Sequence, residues 1–246
     1  MSRLTPQQIG SIWQRLRDRR PVIHCITNSV VQNFTANLLL SVGVTPSMTT
    51  DKDEIKDFVQ SADGLLVNLG TLDGDRKQAI GMALESLEPE KRFVLDPVFV
   101  NRSPPRLNFA RSLMTAQPAL IRCNQAEADA LGLTDKTLEK TILALSGATD
   151  RVITKERLIS LGHGHPYGAL VTGGGCALSG LMSAVLAVEP HADLAAVTAF
   201  AAYGIAQEIA AQDAEGPASF ALRLIDALHH LSADRLSYDL QKMEQA

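Results

Sequence analysis

Residues 64–69 read GLLVNL, and residues 75–87, a few polar positions later, read DRKQAIGMALESL. A short, continuous apolar run is what a strand buried on both faces requires, and the second pattern is that of a helix. The same unit recurs along the chain. Residues 22–26 (VIHCI) read as a strand followed by a helix over about 30–40. Residues 92–95 (RFVL) read as a strand ended by Asp96-Pro97. A short strand at 119–121 precedes a helix beginning near Gln125, and 151–154 with 158–161 form a strand pair. Strands alternating with helices predict an α/β fold, a mainly parallel central sheet with helices on both faces in three α/β/α layers.

The last third changes character. From Gly175 onward the chain reads as successive helices, the first placing Ala177, Leu178, Leu181, Ala184, Val185 and Val188 on one face. Residues 194–212 are rich in alanine, whose small side chain lets helices approach closely. Residues 220–231 form an amphipathic helix, and the polar tail after Ser232 is expected to fray. No linker, low-complexity tract or repeat interrupts residues 1–246, which predicts a single domain.

Composition excludes several functions. The net charge of −4 provides no basic field for nucleic acid. The arginines at 15, 17, 19 and 20 read as the solvated face of a first helix. Cys25, Cys123 and Cys176 are three in number and far apart, which argues against a disulfide framework and for a reducing, cytoplasmic setting. The N-terminal segment lacks a secretory apolar core, and the apolar stretch 194–206 is too short to span a bilayer.

The strongest chemical signal is Val171-Thr172-Gly173-Gly174-Gly175-Cys176 at the start of a helix. Glycines leave backbone N–H groups unobstructed, and a helix start adds unpaired N–H groups and the positive end of a dipole. Together they make an anion site, suited to charge developing on a phosphoryl group. A plain glycine turn packing a helix on the sheet has the same local pattern. Thr27, Asn28 and Asn33 come just after a strand, at the edge where α/β sheets bind ligands, although Asn28 also reads as a helix cap. His24, inside a strand, reads as a satisfied core residue, and GHGHP (162–166) as a turn.

Residues 24–37 (HCITNSVVQNFTAN) resemble the N-terminal signature of the hydroxyethylthiazole kinase family, within the ribokinase-like superfamily. The resemblance continues in family order through GVTPSM (43–48), VNLGTL (67–72), VLDPV (94–98), IRCNQAE (121–127), VTGGGC (171–176) and GPASF (216–220). It implies a ribokinase-like fold. The implied reaction is phosphorylation of the primary hydroxyl of 4-methyl-5-(2-hydroxyethyl)thiazole, with ATP as co-substrate and Mg2+ as cofactor. Homotrimers with the thiazole site near a subunit boundary are implied as well. On the substrate side it implies Asn28, Met48, Gly70 and Gly173. It further implies Arg122 and Thr154 as ATP-binding, Asn124 and Glu127 as the N-x-x-E pair that organises magnesium and phosphate, and Asp96 as an acidic residue near the same ions. Cys176, behind Gly173, Gly174 and Gly175, stands where related kinases carry a catalytic aspartate.

Physical chemistry is compatible with each role. Arg122 can grip phosphate oxygens as a fork, and Asp96 and Glu127 can hold magnesium directly or through water. Taken alone, Asn124 reads also as an N-cap, Glu127 as a helix-start carboxylate, Asp96-Pro97 as a strand-ending turn, and Met48 as a core residue. A thiol titrates near about 8.5 and lower at a helix start, which makes a Cys176 thiolate chemically reasonable; a small buried residue is the other reading.

The sequence departs from the family on the phosphate side. Gly174 stands where Thr is usual, and Phe99-Val100-Asn101-Arg102 replace Gly-Val-Gly-Ala. Residues 128–153 look short, and Thr154-Lys155-Glu156 replace Thr-Gly-Glu. Two alternatives therefore accompany the thiazole-kinase reading: a kinase of another small hydroxyalkyl heterocycle, and a catalytically weak thiazole-binding paralogue.

Overall fold

A computed structural model describes residues 4–134 and 138–244. Eight strands form one sheet: β1 Val22–Ile26, β2 Thr45–Ser47, β3 Gly64–Asn68, β4 Phe93–Asp96, β5 Leu120–Asn124, β6 Ile142–Ser146, β7 Asp150–Ile153 and β8 Leu158–Leu161. Their order is β2-β1-β3-β4-β5-β6-β7-β8. The first six run parallel, whereas β7 and β8 are antiparallel additions at one edge.

Ten α-helices lie among the described residues: α1 Pro6–Arg19, α2 Gln32–Ser41, α3 Ile55–Ser61, α4 Gly74–Ser86, α5 Pro104–Met114, α6 Gln125–Leu131, α7 Gly174–Val188, α8 Ala192–Gln212, α9 Pro217–His230 and α10 Ala233–Glu244. They divide cleanly between the two faces. Leu66, Val94, Leu120 and Ala144 join a core with α1, α2 and α7 to α10, while Leu65, Val67, Leu95, Ile121 and Leu145 join another with α3 to α6. Alternate residues of the same strands feed opposite cores, which is why the strands read as unbroken apolar runs. The α/β/α layering and the mainly parallel sheet are as expected.

Five of the strands and α-helices escape the sequence reading: β2, α3, α5, β6 and α10. As far as Glu244 the tail is helical rather than frayed. It forms α10, packed on α1, with Leu236 buried and the Trp13 indole donating to the Leu231 carbonyl at 2.8 Å. The α1 arginines are not a purely solvated face. Arg15 pairs with Glu189, and Arg17 donates to the carbonyls of Leu228 and His229 at the end of α9. Helix α8 has the length and apolarity to cross a bilayer, but its central residues, including Ala199 and Ala202, are buried in the core.

Candidate active site

The carboxyl ends of the parallel strands deliver most of the predicted residues to one edge. Asn28 lies just past β1, Met48 past β2 and Gly70 past β3; Asp96 ends β4, and Arg122 and Asn124 lie among the last three residues of β5. Helix α7 starts above the middle of this edge and packs on β1, β3 and β4. Gly173 caps it at a φ of 89°, and a Cβ there would come within 2.7 Å of Val31. Only glycine combines that backbone with that approach.

Arg122 and the start of α7 converge. The guanidinium lies so close to Gly175 that a Cβ on that residue would overlap it. Its Nη2 donates to Ser146 Oγ at 2.7 Å, and its Nη1 lies 4.0 Å from Asp96 Oδ2. Helix geometry leaves the N–H groups of Gly175 and Cys176 without intrahelical acceptors. A cation and free backbone donors thus address the same point. They border a cavity of about 670 Å3, also lined by Ser146, Asp150 and Tyr203, a size suited to a nucleotide.

Asp96 is the hub of a buried network. Its Oδ2 accepts from Asn68 Nδ2 and Ser179 Oγ, each at 2.8 Å, whereas Oδ1 has no partner. Burial raises its pKa, opposed by Arg122 and the Ser179 hydroxyl. Asn68 extends the network: its Oδ1 accepts from Asn28 Nδ2 at 3.2 Å and from the Gly70 amide at 3.0 Å. A Cβ on Gly70 would come within 2.7 Å of the Asn28 side chain. Asn28 Nδ2 also lies 3.5 Å from Cys176 Sγ. Asn68 and Ser179 carry no local sequence signal and were missed.

Two expectations need correcting. First, the Cys176 thiol is not lowered by the helix start. Burial and then the Asp96 carboxylate push it up to about 11, which keeps it protonated at neutral pH. Second, Thr154 is not at this edge. Ile153 pairs with Leu143 near the beginning of β6, so Thr154 lies at the opposite end of the sheet. There its Oγ1 accepts from the amides of Glu156 and Arg157 in the β7–β8 turn. The hydroxyl-glycine pair at the carboxyl edge is Ser146-Gly147, at the end of the unforeseen β6. The GHGHP turn is tied to α8, where His163 Nδ1 lies 3.0 Å from Glu208 Oε1.

Asn124 and Glu127 form a capping box. Asn124 Oδ1 accepts from the Glu127 amide and Glu127 Oε2 from the Asn124 amide, both at 3.0 Å. Glu127 Oε1 also accepts from the Phe99 amide at 2.8 Å, so the carboxylate ties the β4 and β5 loops together. Phe99 has a φ of 57°, unusual for a bulky residue, and carries the Arg102 guanidinium 5.3 Å from its ring centre. At Gly174, a Cβ would come within 3.1 Å of Tyr203 Oη, which donates to the Gly174 carbonyl at 3.0 Å.

This layout defines a ribokinase-like small-molecule kinase fold. A ribokinase-like superfamily protein from Enterococcus faecalis V583 traces the same course with a TM-score of 0.66 at 13% identity, a likeness of fold alone. The sequence profile of the hydroxyethylthiazole kinase family matches residues 13–139 and 134–234. A "probable hydroxyethylthiazole kinase" from Agrobacterium fabrum is 41% identical over 231 residues, which are 94% of this chain and 92% of that protein. A hydroxyethylthiazole kinase from Clavibacter sepedonicus is 38% identical over 251 residues, covering 93% and 91% of the two chains. The solved hydroxyethylthiazole kinase of Pyrococcus horikoshii OT3 superposes with a TM-score of 0.88 at 32% identity, covering 92% of this chain and 94% of that one. The chain belongs to the hydroxyethylthiazole kinase family.

Proposed function

We propose that the protein transfers the γ-phosphoryl group of ATP to the primary hydroxyl of 4-methyl-5-(2-hydroxyethyl)thiazole. The observation that carries this reading is the convergence of Arg122 with the glycine-initiated start of α7 beside the nucleotide-sized cavity. The acceptor lies over β2, β1 and β3, against Met48, Asn28, Gly70 and Gly173. The triphosphate lies over Arg122 and Gly173 to Cys176, and Ser146 takes the nucleotide-side place first assigned to Thr154.

A bond forms between the acceptor oxygen and the γ-phosphorus, the bond to the β,γ-bridging oxygen breaks, and ADP leaves. The hydroxyl proton passes to the phosphoryl oxygens and on to water. A loose transition state needs alignment and charge neutralisation rather than a strong base. Cys176, held as a thiol, therefore acts as a contact to the reacting hydroxyl beside Asn28. Arg122 and the α7 amides stabilise the charge on the equatorial oxygens.

The residues present suit magnesium. Asp96 Oδ1 is a buried carboxylate oxygen that no protein donor reaches. Both oxygens of Glu127 accept backbone N–H groups, so Glu127 contributes through water and by holding Asn124 and Phe99 in place. One direct carboxylate, with phosphates and waters, is a normal magnesium environment. Held by Asp96 and, through water, by Glu127, the ion would supply positive charge to offset that of the phosphates.

We also infer that the enzyme acts in the cytoplasm as a homotrimer of single-domain subunits. Exposed Val30, Leu170 and Leu222 on neighbouring elements support the assembly, which light scattering would test. The stack of Arg102 on Phe99 favours a second reading, a preference for another hydroxyalkyl heterocycle.

The direct test monitors phosphorylated thiazole and ADP by 31P NMR, with purified protein, ATP, magnesium and the thiazole alcohol. Product that vanishes when magnesium is chelated is the expected result. A folded protein that yields none would refute the reading, and faster turnover of a related heterocycle would move it to the second.

A further inference from the structure

One buried side chain holds the residues on both sides of Met48. His24, in the middle of β1, is fully buried, and its Cα is the register partner of Ser47 on β2. Its Nδ1 lies 2.8 Å from Ser47 Oγ, and its Nε2 lies 3.0 Å from the Thr49 carbonyl. A carbonyl only accepts, so Nε2 carries the proton and Nδ1 accepts from the serine hydroxyl. Both nitrogens are then satisfied by a neutral ring. Burial pushes its pKa down to about 4, opposed by the Thr49 carbonyl and Glu54, so this arrangement holds throughout the neutral range.

The clamp matters because of where β2 lies. It has three residues and sits at the edge of the sheet, paired only with β1. So short an edge strand offers few ladder bonds to anchor the turn at Met48 and Thr49. Thr49 is fastened again on its far side, where its hydroxyl donates to Glu54 and accepts from the Asp51 amide. Phe58, with its ring centre 5.9 Å from that of the histidine, closes the flank. Met48 itself is only partly buried, and its own flexible side chain cannot fix its backbone.

We propose that His24 is a positioning residue for the acceptor, locking Ser47 and Thr49 so that the Met48 thioether is fixed against the acceptor heterocycle. The proposal rests on Met48 being an acceptor contact. Sulfur–aromatic contacts are short-ranged, so a shift of about 1 Å in this turn is felt in acceptor binding.

The test is steady-state kinetics on the full chain with the thiazole alcohol and Mg-ATP varied separately. His24→Leu is expected to raise KM for the alcohol about tenfold while KM for ATP stays within about twofold, and Met48→Ala to raise the alcohol KM alone. His24→Gln, whose amide nitrogen can still donate to the Thr49 carbonyl, is expected to recover most of the loss. If His24→Leu leaves the alcohol KM unchanged while Met48→Ala raises it, the positioning role is wrong and the Met48 contact stands. If Met48→Ala changes nothing, the contact itself is wrong and the proposal falls with it. Equal rises in both KM values for His24→Leu would also overturn it, as the mark of a general structural role. Should His24→Leu not fold, Ser47→Ala removes one of the two bonds with the ring in place. About a threefold rise in the alcohol KM is then expected, and no rise rejects the clamp.

Discussion

The two halves of the site edge differ in how far the protein satisfies its own polar groups. Over β2, β1 and β3, where the acceptor is assigned, the groups are already bonded to one another. His24 uses both ring nitrogens, Asn68 Oδ1 receives Asn28 and the Gly70 amide, and Thr49 is held from three directions. The Thr27 hydroxyl is an exception. Over β4 to β7 the charged groups keep bonding capacity in reserve. Asp96 Oδ1 and Arg122 Nε are buried without partners, and Asp96 and Arg122 stand 4.0 Å apart rather than in a tight pair. Recognition of a small, neutral heterocycle depends on a stiff shape. Binding of a triphosphate depends on charges that the protein has not already neutralised.

The sharpest way to break this comparison is Arg122→Ala. Loss of this cation beside the α7 amides is expected to lower kcat/KM about 10²- to 10³-fold, measured by a coupled ADP assay. A loss below about threefold would show that the phosphate side does not depend on this charge. Next is Gly175→Ala. Its methyl group takes the space of the guanidinium, so Arg122 must swing away while the fold survives. A fall in kcat/KM of about 10-fold or more, with an unchanged circular-dichroism spectrum, is expected; near-normal activity would mean that Arg122 acts equally well from elsewhere.

A paired substitution sharpens the boundary of the nucleotide half. Ser146→Ala removes one hydrogen bond to Arg122 and is expected to raise KM for ATP about fivefold, whereas Thr154→Val is expected to leave it within about twofold. The opposite ranking would return Thr154 to the nucleotide. The smallest effect concerns Asp150, whose pKa burial raises to about 6, opposed by the Gly147 amide and Arg122. The folded state therefore binds this proton more tightly than the unfolded chain. The stabilisation it confers is complete below about pH 4 and is lost as pH rises through about 6. Asp150→Asn should flatten that part of the pH–stability curve and raise the melting temperature by about 2–4 °C at pH 7.5, corresponding to about 1 kcal/mol once solvent screening is allowed for. An identical pH profile in both proteins would contradict it.

The residues that were legible in the sequence were those whose role is local. Strands β1, β3 and β4 announce themselves as apolar runs, and the glycine start of α7 is visible from three consecutive letters. Asn124 and Glu127 show a capping spacing that the structure displays in full. Strand β2 was missed because three residues carry no periodicity, and β6 because a five-residue run lacks a turn signal ahead of it. Missing β6 displaced the hydroxyl-glycine pair by eight residues, from Ser146 to Thr154. The start of α5 did carry a signal, two prolines at its first turn, that went unused.

By itself, the sequence determined the alternation of strands and helices, the two-faced burial of the sheet and the glycine-opened helix start, because each depends on residues within one or two turns of one another. Only the tertiary structure decided that Cys176 stays a thiol, that Asn68 and Ser179 gather around Asp96, that Ser146 rather than Thr154 faces Arg122, and that His24 clamps the turn at Met48. Those outcomes depend on burial and on partners 23 to 148 residues away, and strand pairing and helix packing, not local spacing, bring such groups within bonding distance.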